Sequence, residues 1–180
     1  MKKSTKVIAA AAIAVGGIAG LAQATPIVGL FFATILATGA SNEDLLARAH
    51  VALPPASTTP KRGHDHDDDN AFRVKFATDG PSTFIVQDVS YLPSGHTGWH
   101  SHPGILLSSV TEGAIEWYDS NCQVHNYSVG QSFTETDQLH YLRNVGSVNA
   151  RIMITYVLAL GQPRRIDQPA PACAAALGLF

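Results

Sequence analysis

From Phe72 onward, apolar and polar positions alternate in short bursts set apart by turn residues. FRVKF (72–76) alternates one for one, and STFIVQDVSYL (82–92) is rich in β-branched and aromatic residues. ILLSSV (105–110), AIEWY (114–118), QVHNYS (123–128), LHYLRN (139–144) and ARIMITYVLAL (150–160) follow. The breaks between them, PSGHTG, TEG, DSNC, SVGQ and NVGS, carry turn chemistry. Short strands at regular spacing predict an all-β sandwich, jelly roll or closed barrel, and no long amphipathic helix interrupts 72–160.

Upstream the pattern changes. Residues 25–40 mix Thr, Ile, Val and Phe with glycine and can form a first strand. SNEDLLARAHVAL (41–53) opens with Ser41 or Asn42 as a cap and with Glu43 and Asp44 early, which predicts a short helical turn. PPASTTPKRGHDHDDDN (54–70) has three prolines and no apolar period, so it reads as a loop. Its HDHDDD run has no fixed geometry and reads as a solvated acidic loop rather than a second metal site. The tail, 161–180, is proline-rich and is expected to wrap the outside.

The N-terminus orders a basic start (MKKSTK), an apolar run (VIAAAAIAVGGIAGL) and small residues (AQA) as a secretory signal does. The expected division is therefore a signal peptide over 1–24, an N-terminal strand, helical turn and acidic loop over 25–71, a barrel over 72–160, and a tail over 161–180. Apolar character continues to Ala40, so an uncleaved membrane anchor is the competing reading. Either way the rest of the chain is exported, periplasmic or secreted. The formal charge is −2, and −5 without residues 1–24, which gives no basic surface for nucleic acid. In an exported chain the two cysteines, Cys122 and Cys173, suggest one disulfide; two unpaired thiols are the alternative. Closing a loop of about 50 residues would contribute about 4 kcal/mol.

The chemistry concentrates in GHTGWHSHPG (95–104). His100 and His102 are two apart, so on a strand both imidazoles face the same way and can share an ion. LHYLRN supplies His140 from another alternating segment, and a neighbouring strand would bring it to the same face.

GHTGWHSHPGILLSSVTEG resembles the first motif of the cupin superfamily, and VGQSFTETDQLHYLRNVG, with Gly130, His140 and Asn144, resembles the second. The HTGWHSHPG segment, the mid-domain cysteine and the RRID…C tail resemble a group of small exported bacterial cupins. The resemblance implies a single all-β cupin barrel, a jelly roll or double-stranded β-helix. It also implies a divalent metal ion (Fe, Zn, Mn, Ni or Cu) held by His100, His102 and His140. Two departures stand out. Where cupins often carry a glutamate ligand this chain has Leu106 and Leu107, and the second motif's Pro-x-Gly gives way to Glu135, Thr136 and Asp137. The implied ligand set is three neutral histidines without a carboxylate.

Around these, His96 and Trp99 are candidates for the outer shell, against readings as a solvated loop histidine and a packed barrel-end aromatic. Glu116 is a candidate for the missing carboxylate, against an outward charge on an alternating strand. Glu112, in a turn, is a poor ligand, and Arg143 is expected on the face opposite His140. The implied partner is a small-molecule ligand, with no nucleic acid and no membrane beyond the N-terminal anchor. A homodimer is common among barrels of this kind. The leading functional expectation is a dioxygenase-like enzyme on a small chelating organic molecule. The alternatives are a non-catalytic extracytoplasmic binding protein and, more weakly, a sugar isomerase or lyase.

Overall fold

The computed structural model describes residues 24–52 and 71–180. The expected signal peptide, apart from Ala24, and the expected acidic loop with its HDHDDD run lie outside the described residues. Among the described residues no helix is long and apolar enough to cross a membrane.

Twelve strands and one short helix follow in order: β1 (Val28–Ser41), β2 (Leu45–Ala52), β3 (Ala71–Thr78), β4 (Ser82–His96), β5 (His100–Ser101), β6 (Gly104–Glu112), β7 (Ala114–Tyr118), β8 (Val124–Ser128), β9 (Ser132–Glu135), β10 (Tyr141–Asn144), β11 (Ala150–Ala159), β12 (Ile166–Asp167) and α1 (Ala174–Leu177). The main sheet runs β8-β7-β10-β4-β11-β6-β9, with β1 also on β4, and every pairing is antiparallel.

Period-two burial shapes this sheet. On β6, Leu106, Ser108 and Val110 are buried, and on β11 so are Ala150, Ile152, Ile154, Tyr156 and Leu158. Strand β4 joins the two halves. Its first ten residues pair with β11, while His96 at its far end pairs with Arg143 of β10. Between them the chain bends through Ser94 at φ 64°. Strand β1 crosses β4 so closely here that a Cβ on Gly29 (φ +65°) would fall 2.7 Å from the Gly95 Cα. The apolar interior holds Val89, Leu106, Ile115, Phe133 and Ile152. A second cluster, Trp99, Tyr118, Tyr141, Ala174 and Leu179, plugs one end with residues from the tail.

The helical turn expected over 41–53 is a strand. Ser41 ends β1, and Leu45–Ala52 pairs residue for residue with Ala71–Thr78. The cap-like residues close a corner between strands. The Ser41 hydroxyl accepts from the Glu43 amide, and the Asp44 carboxylate accepts from the Gly80 amide at 2.6 Å. Short polar side chains that bond nearby amides serve turns as readily as helix starts. The strand over 25–40 is present as β1.

Cys122 and Cys173 form a disulfide across 51 residues. It fastens the segment between β7 and β8 to the start of α1. Asp88, buried on β4, receives two hydrogen bonds from Arg151 of β11, at 2.9 and 2.5 Å. These bonds hold its carboxyl below the usual carboxylate range.

Replacing both cysteines by serine should lower stability by about 2–4 kcal/mol, read as a lower urea midpoint at an unchanged slope. Asp88→Asn should lower Tm at neutral pH. The folded carboxyl binds its proton less tightly than the unfolded one. The pair therefore stabilises above about pH 4, and the gap to the parent should close as pH falls further. A pH-independent gap in thermal melts would refute this.

Candidate metal centre

The site begins with a backbone contact. His100 and His140, 40 positions apart, exchange two hydrogen bonds, His100 N–H to the His140 carbonyl at 3.0 Å and the reverse at 2.9 Å. This antiparallel bridge sets their rings side by side, with centroids 4.2 Å apart. Strand β5 pairs with β12, and its period of two brings His102 to the same point, 4.8 Å from His100 and 5.0 Å from His140 between ring centroids. One nitrogen from each of the three rings lies within 4.8 Å of the others, and all three residues are buried.

The outer nitrogens decide what faces inward. His100 Nδ1 lies 3.0 Å from the Gly98 carbonyl, His102 Nδ1 2.6 Å from the Arg164 carbonyl, and His140 Nδ1 2.7 Å from the Gln138 carbonyl. A carbonyl only accepts, so each Nδ1 donates and carries the proton, leaving each Nε2 as a bare lone pair. Nε2 of His102 and of His140 is buried with no hydrogen-bond partner among the described residues. Burial lowers all three pKa values. That of His100 falls well below its ordinary value, with further help from His140, and that of His140 falls to about 4. Three neutral donors thus converge with their protons turned outward.

A carboxylate is present, contrary to the expectation of a purely neutral set. Glu135, buried on β9, places Oε1 3.4 Å from His140 Nε2 and Oε2 3.9 Å from His102 Nε2. The Ser108 hydroxyl donates to it at 3.4 Å. In the ladder between β6 and β9, Glu135 stands directly opposite Leu106, one of the two leucines occupying the glutamate's usual place. The acid has moved one strand sideways, and cross-strand partners lie about 5 Å apart. Burial pushes its pKa up, with His102 acting in the opposite direction. The signal for it is the period of two: Phe133 and Glu135 share a face, and Phe133 is a core residue.

Glu116 does not supply this acid. It lies on the other face of β7 from Trp117. There it is bound by Arg143, with Nε to Oε2 at 2.7 Å, and by the Tyr118 hydroxyl at 2.5 Å. Arg143 is accordingly on the face opposite the histidines, and Glu112 pairs with Arg151. His96 stacks on Tyr141 and accepts a hydrogen bond from the Gly98 amide; it is not one of the converging rings. Trp99 is fully buried at the barrel end, its indole N–H donating to the Leu179 carbonyl at 2.9 Å, and it does not line the cavity. Trp117, which carried no expectation, stacks on His140 at 5.6 Å, and its side chain acts on Glu135 against the effect of burial.

A cavity of about 410 Å³ opens in front of the cluster. Ile27, Leu30, Val89, Phe133, Ile152 and Ile154 form its apolar wall, and His100, His102, Glu135, Arg164 and Arg165 its polar end.

Neither a protein-family model nor a curated protein sequence matches the chain. Solved structures do. An uncharacterised protein with a double-stranded β-helix domain from Klebsiella pneumoniae is similar, with 23% identity over 48% of this chain and 70% of that one, at a TM-score of 0.42. A predicted oxalate decarboxylase from Thermotoga maritima shows 15% identity over 44% of this chain and 82% of the other, at 0.38. A cupin domain from Bordetella pertussis shows 19% identity over 42% and 82%, also at 0.38. In fold the chain is an antiparallel β-barrel in which the two histidine-bearing segments meet.

Proposed function

We propose that the protein is an exported, metal-dependent enzyme of the oxygenase class, acting on a small organic molecule that reaches the ion through the apolar cavity. The observation that carries the reading is the set of buried Nε2 lone pairs, each fixed by a carbonyl behind its ring and two of them with no hydrogen-bond partner among the described residues. Two orphaned acceptors in a dry interior are costly unless a cation or a donor meets them. His100, His102 and His140 would hold a divalent ion, with Glu135 as a fourth ligand or as the neighbouring negative charge.

Imidazole and carboxylate together suit Fe, Mn, Ni, Cu or Zn. When bound, the ion supplies Lewis acidity and a template for substrate. The protein's own residues do the rest. The carbonyls of Gly98, Arg164 and Gln138 keep the rings in one tautomer, Ser108 orients Glu135, and the apolar wall excludes water from the reacting end. The disulfide is compatible with export.

Elemental analysis of the purified chain should give close to one transition-metal equivalent. His102→Ala should lose it while keeping the parent's circular dichroism spectrum; a full equivalent in that variant would sink the reading. Glu135→Gln should weaken metal affinity about tenfold or more in a chelator competition. Iron-loaded protein should take up O₂ when offered diketones, thiols or flavonols. Full metal without O₂ uptake across such a panel would favour a non-catalytic binding protein instead.

A further inference from the structure

We propose that the cavity receives a small organic carboxylate with an apolar body, its acid group held by Arg164 and Arg165 of the C-terminal tail. The proposal rests on the metal-site reading only for what meets the ligand's other end; the case for an anion is independent of it.

The case is one of charge. The polar end of the cavity holds neutral imidazoles, one acid and two guanidinium groups. Arg165 is matched by Asp167, whose Oδ1 accepts from its Nε at 2.5 Å, and its Nη2 donates to the Thr97 carbonyl at 2.7 Å. Arg164 is half-buried and has no ion pair or side-chain hydrogen bond among the described residues. Arg164 is thus a lining cation with no ion-pair partner of its own, and a divalent ion would add further positive charge to the cavity. A partly buried cation without a counter-charge is costly, and a ligand that carries one removes the cost. A neutral ligand would cover Arg164 and leave it unmatched.

The rest of the lining narrows the class. A guanidinium fork matches a carboxylate in two parallel hydrogen bonds. Phosphate recognition by backbone amides usually uses a helix N-terminus or an amide nest, and here the cavity's charged donors are the two arginine side chains. Behind the polar end lies the wall of Ile, Leu, Val and Phe side chains, which a wholly polar diacid would leave wet. The backbone that carries the arginines is fixed rather than loose. The Arg164 carbonyl holds His102, Ile166 and Asp167 pair with Ser101 and His100, and the Gln168 amide donates to the Trp99 carbonyl at 3.0 Å.

The test is calorimetric titration of the full exported chain, metal-loaded and chelator-treated, with benzoate, phenylacetate and hexanoate against their amides, and with oxalate. Acids of the panel should bind at least tenfold tighter than their amides. Arg164→Gln should weaken the acids about tenfold or more while leaving amide affinity and metal content unchanged, and Arg164→Lys should restore part of the loss. Acids that bind no better than amides, no binding by any acid, or acid binding that survives Arg164→Gln with Arg165→Gln would overturn the proposal. Oxalate binding tighter than every apolar acid would overturn its apolar half. Metal content is read on the same samples. Acid preference in protein that takes up no metal would sink the metal reading alone, and full metal without acid preference would sink only this one.

Discussion

The whole site depends on where three protons sit. Each histidine of the cluster is backed by a backbone carbonyl, and a carbonyl can only accept. That single constraint turns Nδ1 into the donor, bares Nε2, and lets burial hold the rings neutral instead of driving mutual repulsion. Were any ring free to turn over, its proton would point into the cluster and the convergence would be lost. The carbonyls come from three separate places: the residue two before His100, the residue two before His140, and the tail. Two are local and follow from the strand entry. The third is not.

Most of the barrel was legible because period-two burial is a local property. AIEWY and the segments around ILLSSV and ARIMITYVLAL fall on β7, β6 and β11, with inward residues where alternation places them. His100, His102 and His140 were legible as a group through spacing and resemblance. Glu135 was not, because the positions after His102 hold Leu106 and Leu107 and the acid lies 33 residues farther along the chain. The acid that replaces them is a neighbour across the ladder, and pairing register is not written in either strand by itself. The residues 41–53 misled for a different reason. Ser, Asn, Glu and Asp before an apolar run satisfy amides at a helix start and at a strand corner alike, and only the partner strand, which begins at Ala71, decides between them.

Glu135 stands beside the histidines on different support from a glutamate at Leu106 or Leu107. On β6 a glutamate would have belonged to the strand leading directly from His102. On β9 it stands on an edge strand of the sheet, braced by Ser108 and facing His102 and His140. Charge and geometry at the cluster are therefore assembled from four chain segments, β5, β9, the residue before β10, and the tail behind β5.

That last segment changes how the C-terminus should be understood. A proline-rich tail on the outside of a barrel would be expected to add stability and little else. Here the stretch from Arg164 to Gln168 forms β12 against the very strand that carries His100, and it fixes the His102 tautomer. Farther along, Leu179 is buried and its carbonyl receives the Trp99 indole proton, one residue from His100. The disulfide ties the same tail to the barrel between these anchor points. On the Thr25 side, Gly98 at φ +68° has no room for a Cβ, which would fall 2.3 Å from the Thr25 carbonyl. The N-terminal segment thus clamps the same loop from the other direction. Thr25 and the tail both meet the segment that presents the first histidine pair. The cluster's rigidity then depends on these two segments as well as on the barrel, so loosening the tail should be felt first at His102, whose outer nitrogen is held by the Arg164 carbonyl.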